Sequence, residues 1–475
     1  MKVCRERGKS ENIPPEKSCQ VEYIYIQNFM SIVQCYITII YCSLPIIYMH
    51  IDDIEVIAVV GGKGTRLYPL SLNISKPIID MCNLAVLTRM LEPLVIQGCR
   101  KITLASKGYD NTAQLNKYFK DGEAFFSRLG INTKEEFKYQ PNYADKGSAD
   151  SVRYCMDYYN IKDDILVIGG DNIANIDLKG LISWHKEKNA LLTVVLKELD
   201  AEEDVTQFGV AKADRDLKIQ RFVEKPRAEE APSRLINAGI YLFSNKIIEV
   251  FKGMGDKVRD IGGDVIPYLT QNGYPVYGYL LNGYWADVGS PGRFLRTTLD
   301  VLHGKIKNVV VLEHNVEKNR WIHPTTLARN HGLAGVNLGD HVLIGRECTI
   351  GDGVKIKDSS IGHTCIIGEN SIIENSVIMS FVNIGKNVRL NRCILGRFTT
   401  VEDGSVIDAD LNVDYAGDQM ERVPVIGGGG VRIFKNSIIG PWKRVAPIKE
   451  SYRILSTGKF IELGMDRENI YFTSK

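Results

Sequence analysis

The chain has 475 residues, enough for two or three domains with full hydrophobic cores. Its 59 basic and 57 acidic residues leave a formal net charge of +2, which argues against a nucleic-acid-binding surface or a polybasic membrane surface. Ten cysteines without a Cys-x-x-Cys pair indicate neither a zinc module nor a secreted disulfide scaffold, so a reduced, cytoplasmic setting is expected.

Residues 23–49 carry no charge, and residues 29–48 are apolar over a length that could span a bilayer. Lys2, Arg5, Arg7, Lys9 and Lys17 precede them and would hold the N-terminus in the cytosol and the following domain outside it. That placement conflicts with the anion-binding segment that follows. Ser31, Gln34, Ser43 and Pro45 also sit poorly in a membrane span. The expectation is therefore that residues 1–48 are an extension upstream of a start at Met49, with an interfacial or anchoring segment as the alternative.

The β-branched run over residues 56–60 predicts a buried parallel strand. It ends in Gly61-Gly62-Lys63-Gly64-Thr65-Arg66-Leu67, and Lys76-Pro77 lies a short way on. Glycines without a Cβ let the backbone approach a ligand, loop N–H groups bind anions, and Arg66 and Lys76 add positive charge. This is a phosphate site. It is not a P-loop, because Lys63 is followed by Gly64 rather than Ser or Thr, and it is not a dinucleotide fingerprint, because position 67 is Leu.

Further strands are predicted over 101–105, 164–168, 191–195 and 239–243, with helices over 84–97, 148–159 and 178–188 between them. The alternation indicates an α/β fold, a Rossmann-like, mostly parallel sheet that binds ligands at the carboxyl ends of its strands. Asp171 closes one strand in Ile165-Leu166-Val167-Ile168-Gly169-Gly170-Asp171, and Asp287 lies in Tyr284-Trp285-Ala286-Asp287. Alone, each would be read as a cap. Together beside a phosphate loop, they are candidate ligands for Mg²⁺, which takes one or two carboxylates plus substrate oxygens.

After residue 340 the period changes. Aliphatic residues fall at 344, 350 and 356, then at 361, 367 and 373, and continue in steps of six, six and five, a 17-residue coil. Small or β-branched residues such as Ser359, Ser371 and Thr399 stand two positions earlier. This is a hexapeptide-repeat parallel β-helix of about four coils, and residues 431–448 are expected to add another. Cys348, Cys365 and Cys393 share the small inward slot, so they are expected to be core rather than metal ligands. His363 falls at a turn and is expected at the surface, with a base for acyl transfer as the alternative.

The Gly-Gly-x-Gly-Thr-Arg-Leu string with its downstream Lys-Pro resembles the signature of sugar-1-phosphate nucleotidyltransferases (sugar-nucleotide pyrophosphorylases), some of which carry a left-handed hexapeptide β-helix. The resemblance implies a nucleotidyltransferase domain over 49–305, a linker over 306–340, and a β-helix with its tail over 341–475. It implies transfer of a nucleotidyl group from a nucleoside triphosphate to a hexose 1-phosphate, glucose or mannose, with pyrophosphate leaving. Arg66 and Lys76 would grip the triphosphate, Gly61, Gly62, Gly64 and Thr65 would line its loop, and Asp171 and Asp287 would hold Mg²⁺. Glu224 and Lys225 in Phe222-Val223-Glu224-Lys225-Pro226, with Gly209 and Asn237, would take the sugar phosphate. Gln140, Gly147 and Ser148 would recognise the base; Ser148 departs from the usual Thr or Leu, and the cues for the base conflict, so the nucleotide stays open. A homo-oligomer formed through the β-helix is the implied assembly. The alternatives are a non-catalytic regulatory or scaffold subunit and a bifunctional enzyme with acyl transfer on the β-helix.

Overall fold

The apolar run before the glycine loop forms β1 (Ile54–Val59), and the computed structural model shows why it is apolar throughout: it runs through a nine-stranded sheet with parallel neighbours on both sides. The structure describes residues 51, 54–62, 64–141, 145–201, 203–307, 309, 314–317, 319–411, 422–446, 461–466 and 469–474. The expectations for residues 1–48 and for Lys63 lie outside the described residues.

In chain order β1 is followed by α1 (Val86–Ile96), β2 (Lys101–Ala105), β3 (Lys138–Tyr139), α2 (Ser148–Tyr159), β4 (Asp164–Gly169), β5 (Asn172–Ala174), α3 (Leu178–Glu187) and β6 (Leu192–Glu198). Then come β7 (Gly209–Ala213), β8 (Ile219–Glu224), β9 (Leu235–Phe243), β10 (Val276–Leu280), β11 (Trp285–Asp287) and α4 (Pro291–Leu302). The path of the large sheet is β8-β7-β9-β4-β1-β2-β3, with β6 paired to β9 and β10 paired to β6. The sheet is mixed. Pairing is parallel around β1 and antiparallel around β9, which returns between β4 and β7 and shifts register between Asn237 and Tyr241. No helix among the described residues is long and apolar enough to cross a membrane.

The C-terminal part is a stack of short parallel strands in three sheets, a left-handed β-helix. One face carries Val342–Ile344, Ser359–Ile361, Val377–Ile378, Ile394–Leu395, Val425–Ile426 and Arg444–Val445 in register. Between residues 342 and 408 equivalent residues on consecutive coils are 17 apart, as the repeat predicts: Val342 opposes Ser359 and Ser360 opposes Val377, whereas Ile394 opposes Val425 across a longer connection. The coil beyond residue 430 is present, with Arg432–Ile433 and Ile438–Ile439 extending the other two faces. Residues 306–340, read as a linker, carry more than a connection: Arg320–Ile322 pairs with Val342–Ile344 and Asn337–Leu338 with Lys355–Lys357, so the first coil begins there. Cys348, Cys365 and Cys393 are free thiols fully buried in the column. His363 is half-buried, and its Nδ1 accepts the Arg346 N–H at 3.1 Å.

One face of the prism packs on the α/β part. Ser290 caps α4 by accepting the Arg293 N–H at 3.4 Å, and Pro291 pre-sets the first turn. The buried face of α4, with Phe294, Leu295 and Val301, shares a core with Leu343, Val377, Met379 and Ile394. Arg397 grips Asp80 at 2.5 Å across the same seam, and the Asn73 amide donates to Gly428 O at 2.8 Å. Leu67 and Leu70, which follow the glycine loop, belong to the same core, so that loop and the β-helix share one hydrophobic unit.

Candidate active site

Strand order places the chemistry. β1 and β4 end at one edge of the sheet, the antiparallel β9 enters from the same edge, and a cavity of about 290 Å³ opens there, lined by Arg66, Asp171, Glu224, Lys225, Asn237 and Asp287 among others. The phosphate loop leaves β1 with Gly61 and Gly62 exposed, and Gly64 adopts φ 61°, turning the chain into the short helix Thr65–Leu67 that carries Arg66. A second short helix, Lys76–Ile78, buries Lys76 and brings its Nζ to 2.5 Å from Asp171 Oδ2.

Asp171 and Asp287 converge through the backbone. β11 pairs with β5 so that Asp287 opposes Asn172, and the Val288 N–H donates to Asp171 O at 2.9 Å. Burial and then the charge of Asp171 push the Asp287 carboxyl above its ordinary value, against the pull of Lys76, Arg66 and Arg293. Arg293 Nη1 sits 3.1 Å from Asp287 Oδ2. A Cβ at Gly289 would lie 2.8 Å from Asp287 Oδ2 and 3.0 Å from Arg66 Nη2, so both charged ends border the space over this glycine. The two neighbouring carboxylates supply the hard oxygen donors that a divalent ion such as Mg²⁺ takes, so the residues present fit such an ion.

The opposite wall carries Glu224, Lys225 and Asn237. Glu224 ends β8 with its carboxylate laid between Gly209 and Gly262; a Cβ at either glycine would come within 2.7 Å or 2.6 Å of its Oε2. Burial, the largest influence, raises the Glu224 carboxyl; Lys225 lowers it and Asp260 raises it. Lys225 holds φ 46°, with its N–H on Phe208 O at 3.0 Å and its side chain 67% exposed at the cleft. The Asn237 amide donates to Tyr241 Oη at 2.7 Å and accepts the Gly239 N–H at 2.9 Å, which fixes its orientation. Trp285 stacks edge-to-face on Phe208 at 5.4 Å and donates to Ala238 O.

The base-recognition candidates divide. Ser148 lines the cleft, but its hydroxyl donates to Asp260 Oδ2 at 2.9 Å and accepts the Ile261 N–H at 2.9 Å. Gly147 packs under Arg259 O at the start of α2. Gln140 is 2% exposed, does not line the cavity, and donates to Asp145 Oδ2 at 3.0 Å. Sequence reasoning missed Asn172, Asp260 and Arg293. Asn172 follows Asp171 directly, which is a usable signal; Asp260 reaches the site through tertiary packing, and Arg293 from the first turn of α4, and no motif announces either.

Residues 55–304 match the nucleotidyl transferase family, and residues 329–416 match the EIF2B subunit epsilon LbH domain. Among similar proteins, a UTP–glucose-1-phosphate uridylyltransferase of Synechocystis sp. is 29% identical over 311 residues, 64% of this chain and 76% of the relative. A glucose-1-phosphate adenylyltransferase of Desulfitobacterium hafniense is 31% identical over 392 residues, 78% of this chain and 91% of its own length. A mannose-1-phosphate guanylyltransferase of Mycobacterium tuberculosis is 27% identical over 314 residues, 66% and 81% of the two chains. With its glycine loop, its paired aspartates and this extent of similarity, the chain belongs to the nucleotidyl transferase family.

Proposed function

We propose that the protein transfers a nucleotidyl group from a nucleoside triphosphate to a hexose 1-phosphate, glucose or mannose, releasing pyrophosphate. The observation that carries this reading is the convergence of Arg66, Lys76, Asp171 and Asp287 at one end of a cleft whose other end presents Glu224 and Lys225. A phosphate oxygen of the sugar phosphate attacks the α-phosphorus, and the bond to the pyrophosphate oxygen breaks. Both partners are anions, so the protein's task is charge compensation and alignment. Loop N–H groups after Val60 and the Arg66 guanidinium hold the triphosphate, and Lys76 steadies the charge that builds on departing pyrophosphate. Glu224 accepts hydrogen bonds from sugar hydroxyls, Lys225 holds the acceptor phosphate, and Gly209 leaves the space for both. Asp171 and Asp287 are the residues that would hold Mg²⁺, which when bound neutralises phosphate oxygens.

The similar proteins named above act on uridylyl, adenylyl and guanylyl donors, so they support the hexose 1-phosphate more than any one base. The test is pyrophosphate release across nucleoside triphosphates and sugar 1-phosphates with Mg²⁺. One preferred pair is expected, with turnover lowered by about 10³ or more in Asp171→Asn, whose fold is retained. A folded wild-type protein that releases no pyrophosphate with any pair supports the regulatory-subunit reading instead.

The β-helix is the proposed assembly surface. Phe381 and Phe398 on consecutive coils stack at 5.1 Å while 48% and 56% exposed, an arrangement that a second copy of the chain would cover. Light scattering should give a multiple of the 53.3 kDa chain mass, and Phe381→Ser with Phe398→Ser should lower it.

A further inference from the structure

The end of α4 opposite the active site holds a cluster that the proposed reaction does not use. His303 caps the C-terminus of α4, with its N–H on Leu299 O at 2.8 Å. Its Nε2 lies 3.0 Å from Asp358 Oδ1 on the β-helix, and His341 Nδ1 lies 3.1 Å from the same oxygen. The two imidazoles meet edge-to-face at 4.2 Å, and the three ligand atoms lie within 4.8 Å of one another.

We propose that His303, His341 and Asp358 form a binding site for a divalent transition metal of the zinc class, clasping α4 to the first coils of the β-helix. The spacing is the first argument. A tetrahedral ion with bonds of about 2.0–2.1 Å sets its ligand atoms roughly 3.3–3.4 Å apart, close to the separations of both imidazole nitrogens from the carboxylate oxygen. Donor type is the second. Two imidazole nitrogens with one carboxylate suit zinc, cobalt or nickel, whereas magnesium and calcium take oxygen.

Preorganisation is the third argument. His341 and Asp358 occupy equivalent corners of successive coils, with φ 55° and 44°, and the Ser359 N–H donates to His341 O at 3.1 Å. The prism thus fixes two ligands independently of the third. His303 arrives from a helix C-terminus, where the aligned peptide dipoles favour a cation. Lys357 Nζ, 3.8 Å from Asp358 Oδ2 and 61% exposed, is the cation that competes, and it faces the oxygen that the histidines leave free. Three protein ligands leave a fourth position for solvent.

The site would act on the reaction through one rigid element. α4 begins at Pro291, directly after the Asp287–Gly289 segment of the cleft, and ends at the clasp. Fixing its C-terminus against the β-helix restrains the segment that carries Asp287.

The probe is Co²⁺ added to the full chain without Mg²⁺, followed by its visible d–d absorption. One equivalent should give a band of tetrahedral intensity that Zn²⁺ bleaches. His303→Ala and His341→Asn, the latter chosen because Asn accepts a positive φ, should each weaken binding by at least about tenfold. Asp171→Asn should leave the band unchanged, which separates this site from the catalytic carboxylates. Zn²⁺ should raise the melting temperature of the wild type but not of His303→Ala. No band with the wild type, a band surviving both histidine variants, or a band lost in Asp171→Asn overturns the proposal.

Discussion

The α/β domain and the β-helix both hold non-glycine residues at positive φ, and the same backbone oddity means different things in the two. In the β-helix it recurs with the coil: His341, Asp358, Asn375 and Arg392 fall 17 apart, as do Glu347, Thr364, Phe381 and Phe398. Each marks a corner of the prism. The cost of roughly 1–2 kcal/mol at each such residue is offset by the stacked coil hydrogen bonds it permits. In the α/β domain Cys82, Asn83, Lys120, Asn160, Asn189, Leu217 and Lys225 hold positive φ without a common step, and of these Lys225, at φ 46°, is the one that lines the cleft. Strain that repeats is architecture. Strain at one ligand-facing position points to function.

The largest test of that contrast lies at the cleft. Arg66 is exposed, caps no element and shares the space over Gly289 with Asp287, so its removal should cost the fold little. Steady-state kinetics of Arg66→Ala should show kcat lower by about 10³–10⁵, the range for transition-state arginines in phosphoryl transfer, at an unchanged melting temperature. A loss of stability equal to the loss of rate would make Arg66 structural, like the corner residues.

The same substitution at two positive-φ positions sharpens the contrast. Asn tolerates this conformation, so Lys225→Asn keeps the backbone and removes only the ammonium. KM for the sugar 1-phosphate should rise about 10–100-fold, the worth of a charge-assisted hydrogen bond, with kcat less affected. Glu347→Asn, at an exposed corner with φ 59°, should leave kinetics alone and raise stability by up to about 1 kcal/mol. Calorimetry that finds no gain at position 347, or a fall in kcat rather than a rise in KM at position 225, breaks the comparison.

Much of this was legible in the sequence because two periodic signals are local. The buried run of β1 and the 17-residue step reflect backbone geometry that each residue senses from near neighbours, and Ser148–Tyr159 and Lys101–Ala105 form as predicted. The glycine loop and Asp171 were visible because short-range geometry demands those residue types. The mixed pairing of β9 was not visible, since strand direction is set by a return of the chain that residues 235–243 do not encode on their own. Nor was the first coil within residues 306–340, whose strands break the hexapeptide spacing. Arg293 reaches Asp287 from the first turn of α4, six residues on, a contact that no motif announces.

The smallest effect concerns the cost of holding Asp287 ready. Burial and the neighbouring Asp171 raise its carboxyl above the ordinary value of 3.8. As pH climbs from that value through the raised one, the folded protein keeps a proton that the unfolded chain has released, so stability falls across the window. Above the window the cost is fully present; below the ordinary value it vanishes. Asn at 287 has no charge to bury and can still accept from Arg293. The metal-free Asp287→Asn protein should therefore melt above the wild type at about pH 8, with the difference shrinking toward about pH 4, while turnover is lost. A difference that stays constant with pH would mean that Arg66, Lys76 and Arg293 already compensate the carboxylate in full. The active site would then be no more strained than the corners of the prism.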